Sequence, residues 1–112
     1  MVYNKNTMIR KLSNIKIADS YKSKIVGVIG WEDWGGCAGL LIKDANSIHT
    51  FFVRFAIDVV FLDREFKIIR IVENLQPFRF SPVVWSAKHT LELPNGVVRK
   101  ESLHTGDKID LI

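Results

Sequence analysis

The chain has 112 residues, enough for one domain that buries about two-thirds of the surface of its unfolded chain. With 47% hydrophobic and 25% charged residues, and no apolar run near the ~18 residues of a membrane span, it is neither disordered nor a helical membrane protein in composition. The net charge of +4 is crowded into residues 1–24, where six basic side chains stand against Asp19 alone, and the remainder carries no basic stripe.

In chain order, Met1 to Asn14 is polar and lysine-rich and reads as loosely held, so residues 1–13 are taken as a flexible basic arm and 14–112 as a single β-rich domain. Asn14 to Ala18 alternates and fits a short edge strand with Lys16 outward. Asp19 or Ser20 then caps a helix, in which Tyr21, Ile25, Val28 and Ile29 recur at helical spacing until Gly30. Trp31 to Gly39 is a glycine-rich loop with two tryptophans, Gly39 to Ile42 a short apolar strand, and Lys43 to Ser47 a turn. Ile48 to Phe55 and Ile57 to Leu62 are dense in β-branched and aromatic residues and predict two strands, or one strand broken near Ala56. Asp63 to Phe66 turns into a strand over Lys67 to Val72, closing a hairpin. A long loop from Asn74 to Val84 carries Pro77 and Pro82. Lys88 to Leu93 is a strand stopped by Pro94-Asn95-Gly96, Val97 to Leu103 makes one or two helical turns, and Lys108 to Ile112 is the last strand. The fold class is mainly β: a small sandwich or partly open barrel of six to seven short strands with one N-terminal helix.

The string His49-Thr50-Phe51-Phe52-x-Arg54-Phe55-x-Ile57-Asp58-Val59-Val60-Phe61-Leu62-Asp63, with Leu91-Glu92-Leu93-Pro94-x-Gly96 and a terminal Gly106-Asp107, resembles the family known as domain of unknown function 192. The resemblance covers about Ala18 to Ile112. It implies a compact, mainly β sandwich with a helix near its start, and brings no activity, cofactor or substrate. Four positions depart from the family pattern. Val53 stands where methionine is usual, Ala56 where proline is, and Phe66 and Ser102 where glycine is, so the geometry of the hairpin turn at Phe66 is open.

His49, Thr50, Arg54 and Asp58 are polar side chains on elements that otherwise read as core, and a buried charge needs a partner or a purpose. If the chain bends near Ala56, Asp58 faces Arg54, either as a structural ion pair or beside a groove in which His49 exchanges protons. Phe78, Arg79, Phe80 and Trp85 interleave aromatic rings with a cation in a proline-bounded loop, either as an interface or as a lid on the core. Cys37, His49, His89 and His104 have no metal-ligand spacing, and neither a nucleophile motif nor a phosphate loop is present, so no metal or cofactor is assigned. A lone cysteine allows no intrachain disulfide, and no apolar leader segment stands at the N-terminus, which fits the cytoplasm.

These features favour a non-enzymatic binding or accessory module. It would hold a small polar ligand or a peptide segment on His49, Thr50, Arg54, Asp58, Phe78, Arg79, Phe80 and Trp85. The alternatives are a small hydrolase- or isomerase-like enzyme with His49 as general base and, less favoured, nucleic-acid contact through the basic arm. The sequence assigns no oligomeric state.

Overall fold

The computed structural model describes residues 8–20 and 27–112. Among the described residues there are seven strands, β1 (Ile9–Leu12), β2 (Ile15–Ala18), β3 (Gly39–Ile42), β4 (Ile57–Leu62), β5 (Ile68–Leu75), β6 (His89–Pro94) and β7 (Lys108–Leu111), and one helical turn, α1 (Val97–Lys100). The chain is mainly β, with a five-stranded sheet ordered β2-β3-β6-β4-β5, a two-stranded sheet β1-β7, and no closed barrel among the described residues. No described helix is long and apolar enough to cross a membrane. The helix read over Tyr21 to Ile29 falls mainly outside the described residues; what is described, Gly27 to Gly30, is a turn.

β3, β6 and β4 are the interior strands of the sheet; all of β3 and β4 and the first five residues of β6 are buried, because side chains pack on both faces. Alternation divides them between two cores. Val60, Leu62, Leu91 and Leu93 meet Val98, Leu103 and Ile109 on one side, while Ile57, Val59 and Phe61 meet Leu40, Ile42, Val28 and Val53 on the other. Ile9 to Leu12, read as part of a loose arm, instead forms β1 in parallel register with β7, because Leu12 packs on the first core. Gly39 lets β3 approach β6 closely: a Cβ there would lie 2.7 Å from a Leu93 methyl and 2.9 Å from the Glu92 carbonyl.

Asp58 is fully buried at the start of β4 and faces the first core. Its Oδ1 accepts the Asn74 N–H at 2.9 Å, and its Oδ2 accepts the N–H groups of Gly96 and Val98 at 3.0 Å each. One carboxylate therefore fixes the bulged end of β5, where Asn74 has φ 56°, and the start of α1. The proposed Arg54–Asp58 pair does not form. Arg54 lies beyond the start of β4 and reaches Glu32 at 3.7 Å, with both side chains largely exposed.

Two family departures retain the glycine backbone. Phe66, in the turn of the β4–β5 hairpin, has φ 62°, and its ring is held by stacking on His89 at 5.0 Å. Ser102 has φ 52° just past α1, where the Leu103 N–H donates to the Val98 carbonyl and the Ser102 N–H to the Arg99 carbonyl. Those two bonds make a Schellman cap, whose left-handed position favours glycine.

Asp58→Ala leaves three backbone N–H groups without their acceptor and should cost about 3–5 kcal/mol, read as a shift in the urea midpoint; a loss under 1 kcal/mol contradicts the anchoring role. Ser102→Gly relieves a left-handed side chain and should add about 1 kcal/mol in the same assay; a loss would mean that the serine side chain supports the cap.

Candidate functional site

Ile48 to Phe55 has the composition of a strand but does not form one. It makes a single bridge, His49 to Phe80, and then turns at Phe51–Phe52, where Phe52 has φ 63°. The reason is Thr50, which is fully buried and bonds across to the proline-bounded loop rather than along a sheet. Its N–H donates to the Arg79 carbonyl at 2.8 Å, and its carbonyl accepts the Phe78 N–H at 2.9 Å. Its hydroxyl accepts the Arg79 N–H at 2.8 Å and donates to the Gln76 carbonyl at 2.6 Å. Ser81 extends the clamp, its Oγ accepting the Ile48 N–H at 2.8 Å.

The clamp joins the two clusters that the sequence presents separately. Phe51 packs edge-on to Phe80 (4.9 Å) and Phe78 (6.1 Å), and Phe78 edge-on to Phe52 (5.6 Å). Three of these rings face solvent: Phe52 is 70% exposed, Phe78 53% and Phe80 74%. Beside them lies an open depression of about 570 Å³ lined by Ile29, Phe52, Val53, Arg54, Pro77 and Phe78. Large apolar side chains held this far out of the core are characteristic of contact surfaces.

The candidate residues sort by position. Thr50 is the scaffold; Phe78, Arg79 and Phe80 stand on the loop it holds, and Arg54 borders the depression. Trp85, 84% exposed, occupies the next turn, where the Ala87 N–H donates to the Val84 carbonyl. His49 is half-buried against Phe51, and its Nδ1 accepts the Phe51 N–H at 3.3 Å. That contact occupies the Nδ1 lone pair of the ring. Asp58 does not belong here, because alternation along β4 turns it to the opposite side of the sheet from Ile57 and Val59. The polar groove drawn around His49, Arg54 and Asp58 therefore gives way to an aromatic surface edged by arginines. Among the described residues, no three His, Cys, Asp or Glu side chains are grouped to hold a metal ion.

Sequence reasoning passed over Glu92. In β6 it sits between Leu40 of β3 and Val59 of β4 and is 3% exposed, and among the described residues its Oε2 has no hydrogen-bond partner. Burial pushes its carboxyl up to about 8. The alternation Thr90, Leu91, Glu92, Leu93 reads as a strand with one wet face, and only the packing of the fold on both sides of β6 reveals that both faces are covered.

A family model described as "Uncharacterized ACR" matches residues 2–111. A UPF0127 protein of Pyrococcus horikoshii is 29% identical over 112 residues, spanning 97% of this chain and 96% of the relative. A UPF0127 protein of Thermococcus sibiricus is 29% identical over 100 residues, and there the match covers 86% of this chain and 64% of the relative. Among solved structures, a protein of unknown function from Novosphingobium aromaticivorans aligns with a TM-score of 0.71 at 16% identity, covering 89% of this chain and 73% of that one. A putative transcription regulator from Sinorhizobium meliloti aligns with a TM-score of 0.74 at 17% identity, covering 82% and 76%. At these identities the two structures establish a shared fold.

Glu92 gives stability a definite pH dependence. Its carboxyl titrates at about 8 in the fold against 4.5 when exposed, so between those values the unfolded chain has lost a proton that the folded chain keeps. Unfolding then releases a proton, and stability falls as pH rises, by up to about 1.4 kcal/mol per unit. Glu92→Gln should remove that slope in urea titrations between pH 5 and 8; an unchanged slope assigns it to other groups. Thr50→Val removes the hydroxyl from the clamp and should cost about 1–3 kcal/mol while sharply raising proteolysis within residues 76–81. Equal proteolysis rates would show that the loop is held by its rings.

Proposed function

Taking as premise that the chain belongs to the DUF192 family, whose description is that of uncharacterized proteins, we propose that it is a non-enzymatic binding module that holds an extended apolar segment of another protein. The reading is carried by one observation, the exposed rings of Phe52, Phe78 and Phe80 set on backbone that Thr50 locks in place. A rigid aromatic platform loses little entropy on binding, which is the condition under which a small surface gives useful affinity. Arg54 and Arg79 at its margin suit carboxylates flanking the apolar residues of the segment. The apolar lining of the depression favours a peptide over a small polar ligand.

The enzymatic alternative is weakened by His49, whose lone pair is engaged by a backbone N–H. Contact with nucleic acid through the basic end is weakened by Arg10, which donates to Asp107 at 3.3 Å and to the Ser102 carbonyl at 3.2 Å.

Selection of a displayed peptide library on the immobilised chain tests the proposal. The parent should enrich apolar sequences with acidic flanks, and Phe78→Ser and Phe80→Ser should each weaken the selected peptides at least tenfold while leaving the unfolding midpoint nearly unchanged. No enrichment, or enrichment indifferent to both substitutions, overturns the assignment.

A further inference from the structure

Glu92 is connected to the aromatic surface through a short path of backbone. The turn Gly27 to Gly30 lies over it: Gly27 has φ +52°, and a Cβ built there would sit 3.6 Å from Glu92 Oε1. Three residues on, the Gly30 N–H donates to the Phe52 carbonyl at 3.4 Å, and the Trp31 N–H closes the turn on the Val28 carbonyl at 3.2 Å. Ile29, Gly30 and Phe52 all line the depression beside the rings. A carboxyl group with no hydrogen-bond donors around it is tolerated in an apolar core only while it is protonated.

The described elements packed around Glu92 offer no counter-charge. β3 presents Leu40 and Ile42, β4 presents Val59, and the turn presents Gly27 and Val28. On its own face of β6 the neighbour is Thr90, whose hydroxyl donates to the Ala45 carbonyl at 2.7 Å. His89 points the other way, stacked on Phe66, and Asp58 lies across the sheet.

We propose that the Glu92 carboxyl is a proton-controlled latch: protonated, it lets the Gly27–Gly30 turn close over β6, and on losing its proton to solvent it drives that turn off and frees Phe52. The carboxylate then regains water, which the closed turn denies it. The open form has an ordinary carboxyl and the closed form one pushed up to about 8, so rising pH favours opening through the neutral range. The latch rests on Glu92 and the turn alone and holds whether or not the aromatic surface binds a peptide.

Amide exchange resolved by NMR between pH 6 and 8 tests it on the intact chain. Corrected for intrinsic rates, protection of the Gly30 and Trp31 amides should fall about tenfold per pH unit in the parent and stay level in Glu92→Gln. At every pH it should lie at least tenfold below that of the Ile68 amide, which donates to the Asp107 carbonyl at 2.8 Å, and should not respond to low urea. Phe78→Ser should leave the slope intact, which separates failure of the latch from failure of the binding surface. Level protection in the parent, the same slope in Glu92→Gln, or exchange of Gly30 in step with Ile68 overturns the latch. Should Glu92→Gln not fold, Glu92→Met, of similar length and without charge, takes its place under the same criteria.

Discussion

The Asp58 carboxylate accepts three backbone N–H groups drawn from Asn74, Gly96 and Val98. Those donors belong to the end of β5 and to the entry of α1, segments separated from Asp58 by up to 40 residues. Neither segment has another way to satisfy these groups locally. β5 is bulged there, and α1 is a single turn with no side-chain cap at Gly96. Once α1 is fixed, Val98 and Leu103 close the first core over Leu91 and Leu93. A buried charge that would be costly alone becomes an organising centre because its partners are backbone donors that would otherwise be orphaned.

The two faces of the sheet thus have different work. One is closed by α1 and the β1–β7 pair around an anchored carboxylate. The other is closed by the long connections between strands, which carry the aromatic clamp and cover Glu92. Thr50 does on the second face what Asp58 does on the first: it supplies side-chain and backbone bonds to a segment that has no ladder of its own. The difference is that Asp58 holds buried apolar residues inside, whereas Thr50 holds Phe78 and Phe80 outside. Glu92 lies beneath this second cover, and the same low-dielectric packing that keeps it neutral makes the cover responsive to a proton.

Much of the strand inventory was legible in the residues. β3, β4, β6 and β7 follow from apolar and β-branched runs, and α1 follows from the stop at Pro94-Asn95-Gly96. Ile48 to Phe55 was misread because its composition is that of a strand, while its geometry is decided by Thr50 and by a left-handed Phe52, which no pattern displays. The pairing of Arg54 with Asp58 failed for a related reason: side-chain chemistry suggests ion pairs, yet the carboxylate was claimed by backbone groups remote in sequence. Half of the candidate site was visible as aromatic residues interleaved with Arg79. The contribution of Phe52 and the burial of Glu92 depended on strand order and loop closure, which are properties of the whole fold.

The most direct test of this account is amide exchange at Asn74, Gly96 and Val98, compared with Ile68 on β5. If the Asp58 carboxylate is the organising centre, these three amides should exchange only through global unfolding, with protection within about threefold of Ile68 and the same urea dependence. Exchange at open-loop rates, insensitive to global stability, would show that β5 and α1 are held by packing alone and would contradict the central claim.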